Sequence, residues 1–246
     1  MAAREIVLYT DFGSADIYVG QVKSALHRIA PQAAVIDLAH DLPPFNVRTA
    51  AHLLDALKNS FTEESVFLCV VDPGVGTERG AVVLEADRRY FVGPDNGLVS
   101  VVAARAAATR ISSIVWRPRD LSESFHGRDL FAPVAAHIAA GTLPPDHLMP
   151  LPELATSFGA DDLGEIIYVD HYGNACTGIR VSAAPPDGML ATGGQRIASA
   201  RVFGEAAPGA PLWHRNSNGL VEIAVNRGSA AQVLGLRVGD AVRWTD

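Results

Sequence analysis

The first part of the chain alternates short apolar runs with segments whose apolar side chains recur at helical spacing. Apolar runs at residues 6–9 and 66–71, and the run 35–38 that contains Asp37, predict three strands; the continuous run 66–71 is typical of a strand that is covered on both faces. Between these runs, Ser14 and Asn46 each precede a helical stripe, and each is predicted to cap a helix. The order strand, helix, strand, helix, strand predicts an α/β fold with a mostly parallel sheet and right-handed crossovers.

The pattern then adds antiparallel strands and further helices. Residues 81–86 and 89–92 are predicted to form a hairpin, and the chain after Gly97 is predicted to be helical through residue 108. A later helix is predicted to begin just after His126 and to end at Gly141. The N-terminal region should therefore be a mixed sheet flanked by helices.

A proline-rich stretch at residues 144–152 predicts a boundary between two domains. Beyond it, short apolar runs separated by Gly, Pro and Asn predict a smaller antiparallel β-domain with a barrel-like arrangement. The predicted strands lie at residues 165–169, 196–203, 220–225 and 241–244, and one short helix is predicted at residues 229–234. We therefore expect residues 1–150 to form an N-terminal α/β domain and residues 160–246 to form a C-terminal β-domain.

A loop rich in glycine follows the third predicted strand. Asp72 comes at the carboxyl end of this strand, which is where α/β proteins bind ligands. Gly74 and Gly76 then allow a sharp turn before Arg79. A dinucleotide-binding loop is excluded, because the third glycine, Gly80, comes one position late and a strand follows it instead of a helix. Two interpretations stay open: a loop that holds its carboxylate and guanidinium beside a ligand, or a tight connection between strands.

Composition narrows the classes of partner. At 246 residues, of which 48% are hydrophobic, the chain is long enough to bury a substantial core. Its net charge of −7 argues against a nucleic-acid partner and is compatible with a small neutral or cationic ligand. Cys69 and Cys176 show no pattern of paired disulfides or metal ligands, as expected in a reducing cytoplasm. No apolar run approaches the ~18 residues of a membrane span, so we expect a cytoplasmic protein without a membrane partner.

Five polar clusters are candidates for chemistry. They are Thr10-Asp11-Phe12-Gly13, Asp72 with Arg79, Phe125-His126-Gly127-Arg128-Asp129, Asp170-His171-Tyr172-Gly173-Asn174, and residues 215–226. Taken singly, each cluster has a structural explanation, such as an Asx cap, a surface ion pair, a capping histidine or a hairpin turn.

Taken together and in order, these clusters carry a family resemblance that covers nearly the whole chain. The pattern also includes Asp16, Pro94-Asp95-Asn96-Gly97, Leu234-Gly235-Leu236 and Gly239-Asp240. In these motifs the chain resembles the S-adenosyl-L-methionine (SAM) hydrolases, also called SAM hydroxide adenosyltransferases, which are related to the adenosyl fluorinases and chlorinases. The resemblance implies an α/β N-terminal domain, a smaller β C-terminal domain, and a homotrimer whose sites lie between one subunit's N-terminal domain and its neighbour's C-terminal domain.

The resemblance also implies a reaction. In this family a water-derived nucleophile displaces methionine from the 5′ carbon of SAM and gives adenosine and L-methionine. The sulfonium leaves as a neutral thioether and needs no general acid, so the demand falls on aligning and partly deprotonating the water. Asp72, Arg79 and His126 match the residues credited with holding that water. SAM would be the substrate, and no cofactor is implied.

Further residues match positions that bind the substrate. Asp11 would accept hydrogen bonds from the ribose hydroxyls, and Phe45 stands where the family often places an aromatic side chain; Asp72 would also border the substrate. The amino-acid end is matched by Asp16, Asp170 and Ser217. The adenine side is matched by Asn174, Glu222 and the backbone around Val225. Two departures occur: the family's Phe-Gly-Asn is Tyr172-Gly173-Asn174 here, and its following Thr-Asn is Thr177-Gly178.

Three other functions compete with SAM hydrolysis: halogenation, ligand sensing and metal-dependent chemistry. A halogenase would carry an aromatic residue near its halide, whereas an anionic Asp72 would repel a halide by ~1 kcal/mol in water and by more when desolvated. A sensor could bind SAM or adenosine without significant turnover, since water is a weak nucleophile.

The third alternative is a metal site. Asp37, His40 and Asp41 crowd one loop, and the carboxylates and histidine of the proposed water site could also supply ligands. Arg79 argues against a cation beside Asp72, and the two-histidine spacing of zinc enzymes does not occur. We therefore expect no metal, and we expect His40 to be a loop or interface residue.

Overall fold

The computed structural model describes residues 3–185 and 188–245, and the chain divides into two compact units between Ala160 and Asp161. The first unit combines a large sheet with helices, and the second is built mainly of antiparallel strands. The α/β class predicted from the sequence is therefore confirmed. None of the helices in the described ranges is both long and apolar enough to cross a membrane.

The sheet of the first unit has a parallel part and an antiparallel part. Its strands are β1 (Ile6–Thr10), β2 (Val35–Ala39), β3 (Val66–Val70), β4 (Ala81–Ala86), β5 (Arg89–Pro94), β6 (Thr109–Ile114) and β7 (Leu148–Leu151). Their order across the sheet is β2-β1-β3-β5-β4-β6-β7. β2, β1, β3 and β5 run parallel, as predicted, whereas β4, β6 and β7 form antiparallel pairs. The carboxyl ends of β1 and β3 consequently meet at one edge.

Helices cover both faces of this sheet. They are α1 (Tyr18–Ile29), α2 (Val47–Leu57), α3 (Ser100–Arg105) and α4 (Ala132–Ala140). Leu26 of α1 and Val134 of α4 pack with Ile6 and Leu68 in one fully buried cluster. On the opposite face, the hydroxyl of Tyr9 donates to the Ala50 carbonyl of α2 at 2.8 Å. Burial from both sides explains why the central strands are continuous apolar runs.

The two predicted helix caps have different outcomes. Asn46 caps α2, since its side chain accepts a hydrogen bond from the Thr49 amide at 3.3 Å. The cap predicted at Ser14 is wrong, because α1 begins only at Tyr18 and has no side-chain cap. The Ser14 amide instead donates to Asp41 Oδ1 at 2.8 Å, which holds the preceding residues in a turn.

The predicted hairpin is confirmed, but the helix that follows is shorter than expected. Asp87 and Arg88 adopt φ angles of 46° and 65°, the left-handed conformation that suits a two-residue turn between β4 and β5. α3 ends at Arg105 and not at residue 108. The amides of Ala107 and Ala108 donate to Asp87 Oδ1 at 3.0 and 3.2 Å, and this directs the chain into β6. A tertiary contact has overridden the helical propensity of alanine.

The segment after His126 winds first as a single π-helical turn, Gly127–Phe131, and then continues as α4. α4 ends as predicted at Gly141, whose φ is 68°. Residues 144–152, predicted as the boundary between domains, lie inside the first unit instead. Pro150 is tolerated in β7 because this strand is at the edge of the sheet, where a missing amide donor costs little.

The second unit contains two antiparallel sheets. Its elements are β8 (Leu163–Val169), β9 (Ala175–Arg180), β10 (Met189–Thr192), β11 (Gln195–Ile197), β12 (Pro211–Arg215), β13 (Leu220–Val225), α5 (Ala230–Leu234) and β14 (Arg243–Thr245). The sheet orders are β12-β13-β9-β8 and β11-β10-β14. Both sheets are open among the described residues, so the barrel-like arrangement is not confirmed. The strand predicted at residues 196–203 is wrong beyond Ile197, whereas α5 is confirmed and is capped by Ser229.

Candidate active site

Two carboxylates that the sequence placed at strand ends lie beside each other at one edge of the first unit's sheet. Thr10 and Val70 are register partners at the ends of β1 and β3, and the Asp11 amide donates to the Val70 carbonyl at 3.2 Å. Asp11 and Asp72 both line a cleft of about 100 Å³. The other lining residues are Phe12, Phe45, Val70, Val75, Ser124, Phe125, His126 and Gly127. The sequence motifs from three separate loops therefore converge.

Asp72 and Arg79 form a buried, two-pronged ion pair. Arg79 Nε donates to Asp72 Oδ1 at 2.9 Å, and Arg79 Nη2 donates to Asp72 Oδ2. Only 5% of the Asp72 side chain and 10% of the Arg79 side chain are exposed. The guanidinium also lies 5.2 Å from the centre of the Phe131 ring, and its Nη1 donates to the Gly80 carbonyl at 3.1 Å. The loop thus holds this carboxylate in one orientation beside the cleft.

His126 is the third member of this group, and its tautomer follows from its partner. Its Nδ1 lies 3.0 Å from Arg79 Nη2. A guanidinium can only donate, so Nδ1 must accept and the proton of a neutral imidazole lies on Nε2. Burial, together with the positive charge of Arg79, lowers the pKa of His126 below its usual value. Both effects favour the neutral ring.

Asp11 is held from the other side of the cleft by Phe45. The Phe45 amide donates to Asp11 Oδ2 at 3.1 Å, and Phe45 has a φ of 64°, which is unusual for a residue other than glycine. The Phe45 ring is 74% exposed. Burial raises the pKa of Asp11, and the nearby charge of Asp72 adds to this effect, while the hydrogen bond from Phe45 opposes it. A strained backbone and a perturbed carboxyl at one position are typical of a binding site.

Two predicted residues of the first unit do not line this cleft: Arg79, which contacts the lining residues Asp72 and His126 from behind, and Asp16. Asp16 lies exposed in the turn before α1, where its Oδ1 accepts from the Ile17 amide at 2.6 Å. Sequence reasoning did not single out Phe12, Val75, Ser124 or Phe125 as lining residues. Phe12, Phe125 and Gly127 belong to the quoted motifs, so their position in a motif was the available signal.

In the second unit, Asp170 and Asn174 form a closed polar loop. Asp170 Oδ1 accepts from the Asn174 amide at 2.8 Å, and Asp170 Oδ2 accepts from Asn174 Nδ2 at 2.9 Å. Gly173 lies between them with a φ of 85°, and a Cβ atom there would lie 2.0 Å from Ser229 Oγ. Glycine is therefore required, whereas Tyr172, which replaces the family's phenylalanine, is 76% exposed.

Glu222 is the centre of a second polar group in this unit. Glu222 Oε1 lies 3.1 Å from His214 Nε2, and Glu222 Oε2 accepts from Asn216 Nδ2 at 3.0 Å. Burial raises the pKa of Glu222, but these two hydrogen bonds outweigh it and leave the pKa below the usual value. Asn216 Nδ2 also lies 3.4 Å from the sulfur of Cys176, a thiol whose pKa burial raises to about 12. Sequence reasoning missed His214 as the partner of this carboxylate.

The remaining predicted residues of the second unit differ in exposure. Ser217 is exposed in the turn between β12 and β13, whereas Val225 is buried and its carbonyl accepts from the Gly228 amide at 3.1 Å. Gly178 replaces an asparagine of the family, and a Cβ atom there would lie 2.6 Å from Leu163 Cβ. The asparagine would therefore not fit this backbone without a shift of β8.

The crowded loop that suggested a metal site is paired internally. Asp37 Oδ2 accepts from Lys23 Nζ at 2.6 Å and Asp37 Oδ1 lies 3.0 Å from His40 Nε2. Within residues 3–185 and 188–245, no group of three or more His, Cys, Asp or Glu side chains has the proximity that a metal ion needs.

The chain is similar to known proteins both in sequence and in structure. The SAM hydroxide adenosyltransferase N-terminal domain matches residues 6–149, and the C-terminal domain of the same family matches residues 164–243. The (R)-S-adenosyl-L-methionine hydrolase of Thermus thermophilus is 42% identical over 98% of this chain and 99% of its own. A fluorinase from Actinopolyspora mzabensis is 25% identical over 98% of this chain and 96% of its own. The crystal structure of an uncharacterized conserved protein from Thermotoga maritima has a TM-score of 0.89 at 37% identity, covering 98% of this chain and 100% of that one.

Proposed function

The chain belongs to the SAM hydroxide adenosyltransferase family, and from this we propose that it is an enzyme that hydrolyses S-adenosyl-L-methionine. The oxygen of a water molecule bonds to C5′ of the ribose while the bond from C5′ to sulfur breaks and leaves its electron pair on sulfur. The products are adenosine, L-methionine and one proton. The relatives named as hydrolases carry the (R) designation, so we expect the (R) sulfonium to be preferred.

The observation that carries this proposal is the group of Asp72, Arg79 and His126 beside the cleft. Arg79 holds the carboxylate of Asp72, whose remaining lone pairs can accept a hydrogen bond from a water molecule. Such a water directs an oxygen lone pair away from the carboxylate, as attack on carbon requires. The oxygen gives up electron density as it bonds to C5′, so its O–H group becomes more acidic and its hydrogen bond to Asp72 strengthens. His126 carries its proton on Nε2 and offers a donor to the second lone pair of this oxygen, which would help to fix its position.

We propose that polar residues of both units bind the rest of the substrate. Asp11 would accept hydrogen bonds from the ribose hydroxyls, and the exposed ring of Phe45 offers a flat apolar surface to the sugar. We propose that Asp16, Asp170 and Ser217 bind the methionine end and that Asn174, Glu222 and the backbone at Val225 bind adenine. Glu222 would use oxygen lone pairs beyond those already engaged with His214 and Asn216.

The same group of residues separates hydrolysis from halogenation. A halide placed against Asp72 would meet a fixed negative charge, whereas a water molecule can donate a hydrogen bond to it. The ion pair with Arg79 reduces this repulsion but also occupies the cation that a halide would seek. Hydrolysis is therefore the reaction that this cleft favours.

The test is product analysis with the purified protein and SAM. Equal amounts of adenosine and L-methionine are expected, with the same rate in the presence of a chelator, because the proposal uses no metal or cofactor. Formation of 5′-chloro- or 5′-fluoro-adenosine when the halide is added would indicate a halogenase. Retention of intact SAM after long incubation would indicate a sensor.

We further propose that the protein is a cytoplasmic homotrimer in which each site combines the N-terminal unit of one subunit with the C-terminal unit of its neighbour. Mixing of two inactive variants, Asp72→Ala and Ser217→Ala, tests this assembly. Reassembled trimers should recover part of the activity, because some sites then combine two unaltered halves. Mixtures that stay inactive although subunits exchange, or a fully active monomer in sedimentation, would contradict the shared site.

A further inference from the structure

His40 is a buried histidine whose ring connects two elements of the first unit. Only 8% of the residue is exposed, and both ring nitrogens have partners. Nδ1 lies 2.8 Å from Thr10 Oγ1 at the end of β1, and Nε2 lies 3.0 Å from Asp37 Oδ1 in β2. The sequence alone suggested only a loop or interface residue at this position, because the partner from β1 is distant along the chain.

The chemistry of the partners gives this chain of hydrogen bonds a direction. Burial raises the pKa of Asp37, but the hydrogen bonds from Lys23 and His40 outweigh it and leave the pKa below its usual value. The ionised carboxylate can only accept, so His40 Nε2 donates to it. In the neutral ring, Nδ1 then accepts from the hydroxyl of Thr10, whose oxygen in turn accepts from the Phe12 amide at 3.4 Å.

Asp11 lies in the turn that these hydrogen bonds hold. Thr10 precedes it and Phe12 follows it, and the amide of Gly13 donates to the His40 carbonyl at 2.7 Å. The imidazole and the backbone of His40 therefore hold the turn on both sides of Asp11. This arrangement fixes where the Asp11 carboxylate lies relative to the cleft.

We propose that His40 is a positioning residue: its hydrogen bonds to Asp37 and Thr10 hold the turn that orients Asp11 toward the ribose hydroxyls. This inference rests on the proposed function, since it requires that Asp11 bind the ribose. Without the imidazole, the hydroxyl of Thr10 loses its acceptor and the turn gains freedom. The Asp11 carboxylate would then spend less time in the geometry that accepts from the ribose.

The experiment compares two ligands by calorimetry on the full-length protein. Adenosine carries the ribose hydroxyls that Asp11 would accept, and 2′,3′-dideoxyadenosine lacks them. His40→Ala and Thr10→Val should each weaken adenosine binding by about tenfold, the scale of one charged hydrogen bond, and should change dideoxyadenosine binding by less than about twofold. His40→Asn, which keeps a polar atom near the position of Nδ1, should recover part of the affinity. His27→Ala, on the exposed side of α1, is the matched control and should behave as wild type.

Turnover of SAM gives a second readout, in which the KM of His40→Ala should rise more than its kcat falls. Equal weakening of both nucleosides would overturn the inference, because it would indicate a general structural defect. Wild-type adenosine affinity in His40→Ala would overturn it as well. Failure of the wild-type protein to bind adenosine or to hydrolyse SAM would overturn the proposed function itself, and this inference with it.

Discussion

Removal of the guanidinium of Arg79 is the most informative single change in this protein. Arg79→Met keeps an unbranched stem of similar length but leaves the carboxylate of Asp72, only 5% exposed, without its cation. A solvent-exposed pair would contribute ~0–1 kcal/mol. Loss of one partner from a buried pair costs ~3–5 kcal/mol, because the other charge stays desolvated. Given two hydrogen bonds and near-complete burial, we expect the larger range.

Denaturant unfolding of the variant measures this loss, and a double variant separates its cause. In Asp72→Asn with Arg79→Met no ionised group is left unpaired, so the double variant should be more stable than Arg79→Met alone. Arg119→Met removes an exposed arginine and is the control, with an expected change within ~0.5 kcal/mol. A loss below ~1 kcal/mol in Arg79→Met, or strictly additive effects in the double variant, would refute the reasoning.

The same variant changes the titration of His126. Its pKa in the folded protein is lowered, so the unfolded chain binds the proton more readily, and stability from this residue is lost as pH falls below about 6.5. Arg79→Met removes one of the two main causes, the neighbouring positive charge, and leaves the burial. NMR titration should therefore show a higher pKa for His126 in the variant than in the wild type. An unchanged or lower value would contradict the assigned contact with Nδ1.

Three further predictions concern separate parts of the molecule. Burial raises the pKa of Asp11, so the stability that this carboxyl contributes is present at low pH and is lost as pH rises through the raised value. Denaturant unfolding at neutral pH should therefore show that Asp11→Asn is more stable than wild type. The same variant should bind adenosine more weakly. Gly173→Ala should destabilise the second unit by more than Gly209→Ala does, and thermal unfolding compares the two. Both glycines have a positive φ, which costs alanine ~1–2 kcal/mol, but only a Cβ atom at Gly173 would meet a neighbouring side chain. Prolonged dialysis against a chelator should leave the rate of SAM hydrolysis unchanged, and a rate restored only by added divalent ions would contradict the metal-free site.

Local patterns in the sequence predicted the parts of the fold that local interactions determine. Runs of mostly apolar residues located β1, β2 and β3, and strand order alone placed Asp11 and Asp72 at one edge. The cap at Asn46 and the stop at Gly141 were also correct, because each depends on residues within one turn.

Contacts between distant residues account for what the sequence did not predict. α3 ends early because Asp87, about twenty residues away, accepts the amides of Ala107 and Ala108, which follow the helix. The left-handed backbone of Phe45 and the contact from Thr10 to His40 depend on how two loops meet above the sheet. His214 was missed because it faces Glu222 across a strand pair whose register the sequence does not reveal.

The residues of the candidate site were found differently in the two units. In the first unit, the residue pattern singled out Asp72, Arg79 and His126 and the family resemblance gave them a role; the structure brings these three side chains into direct contact. In the second unit, Asp170 with Asn174 and Glu222 with His214 form two polar groups, whereas the predicted residues Ser217 and Val225 belong to neither. The roles of both sets stay predictions until substrate binding is measured.

Turnover of (R)-SAM in water enriched in oxygen-18 tests the central claim most directly. Attack of water on C5′ places the heavy oxygen in the 5′-hydroxyl of adenosine, and L-methionine should form in equal amount without the label. Mass spectrometry of both products detects this outcome. Three results would contradict the proposed hydrolysis: adenosine that lacks the heavy oxygen, a 5′-halogenated nucleoside as the product, or SAM that stays intact with the wild-type protein.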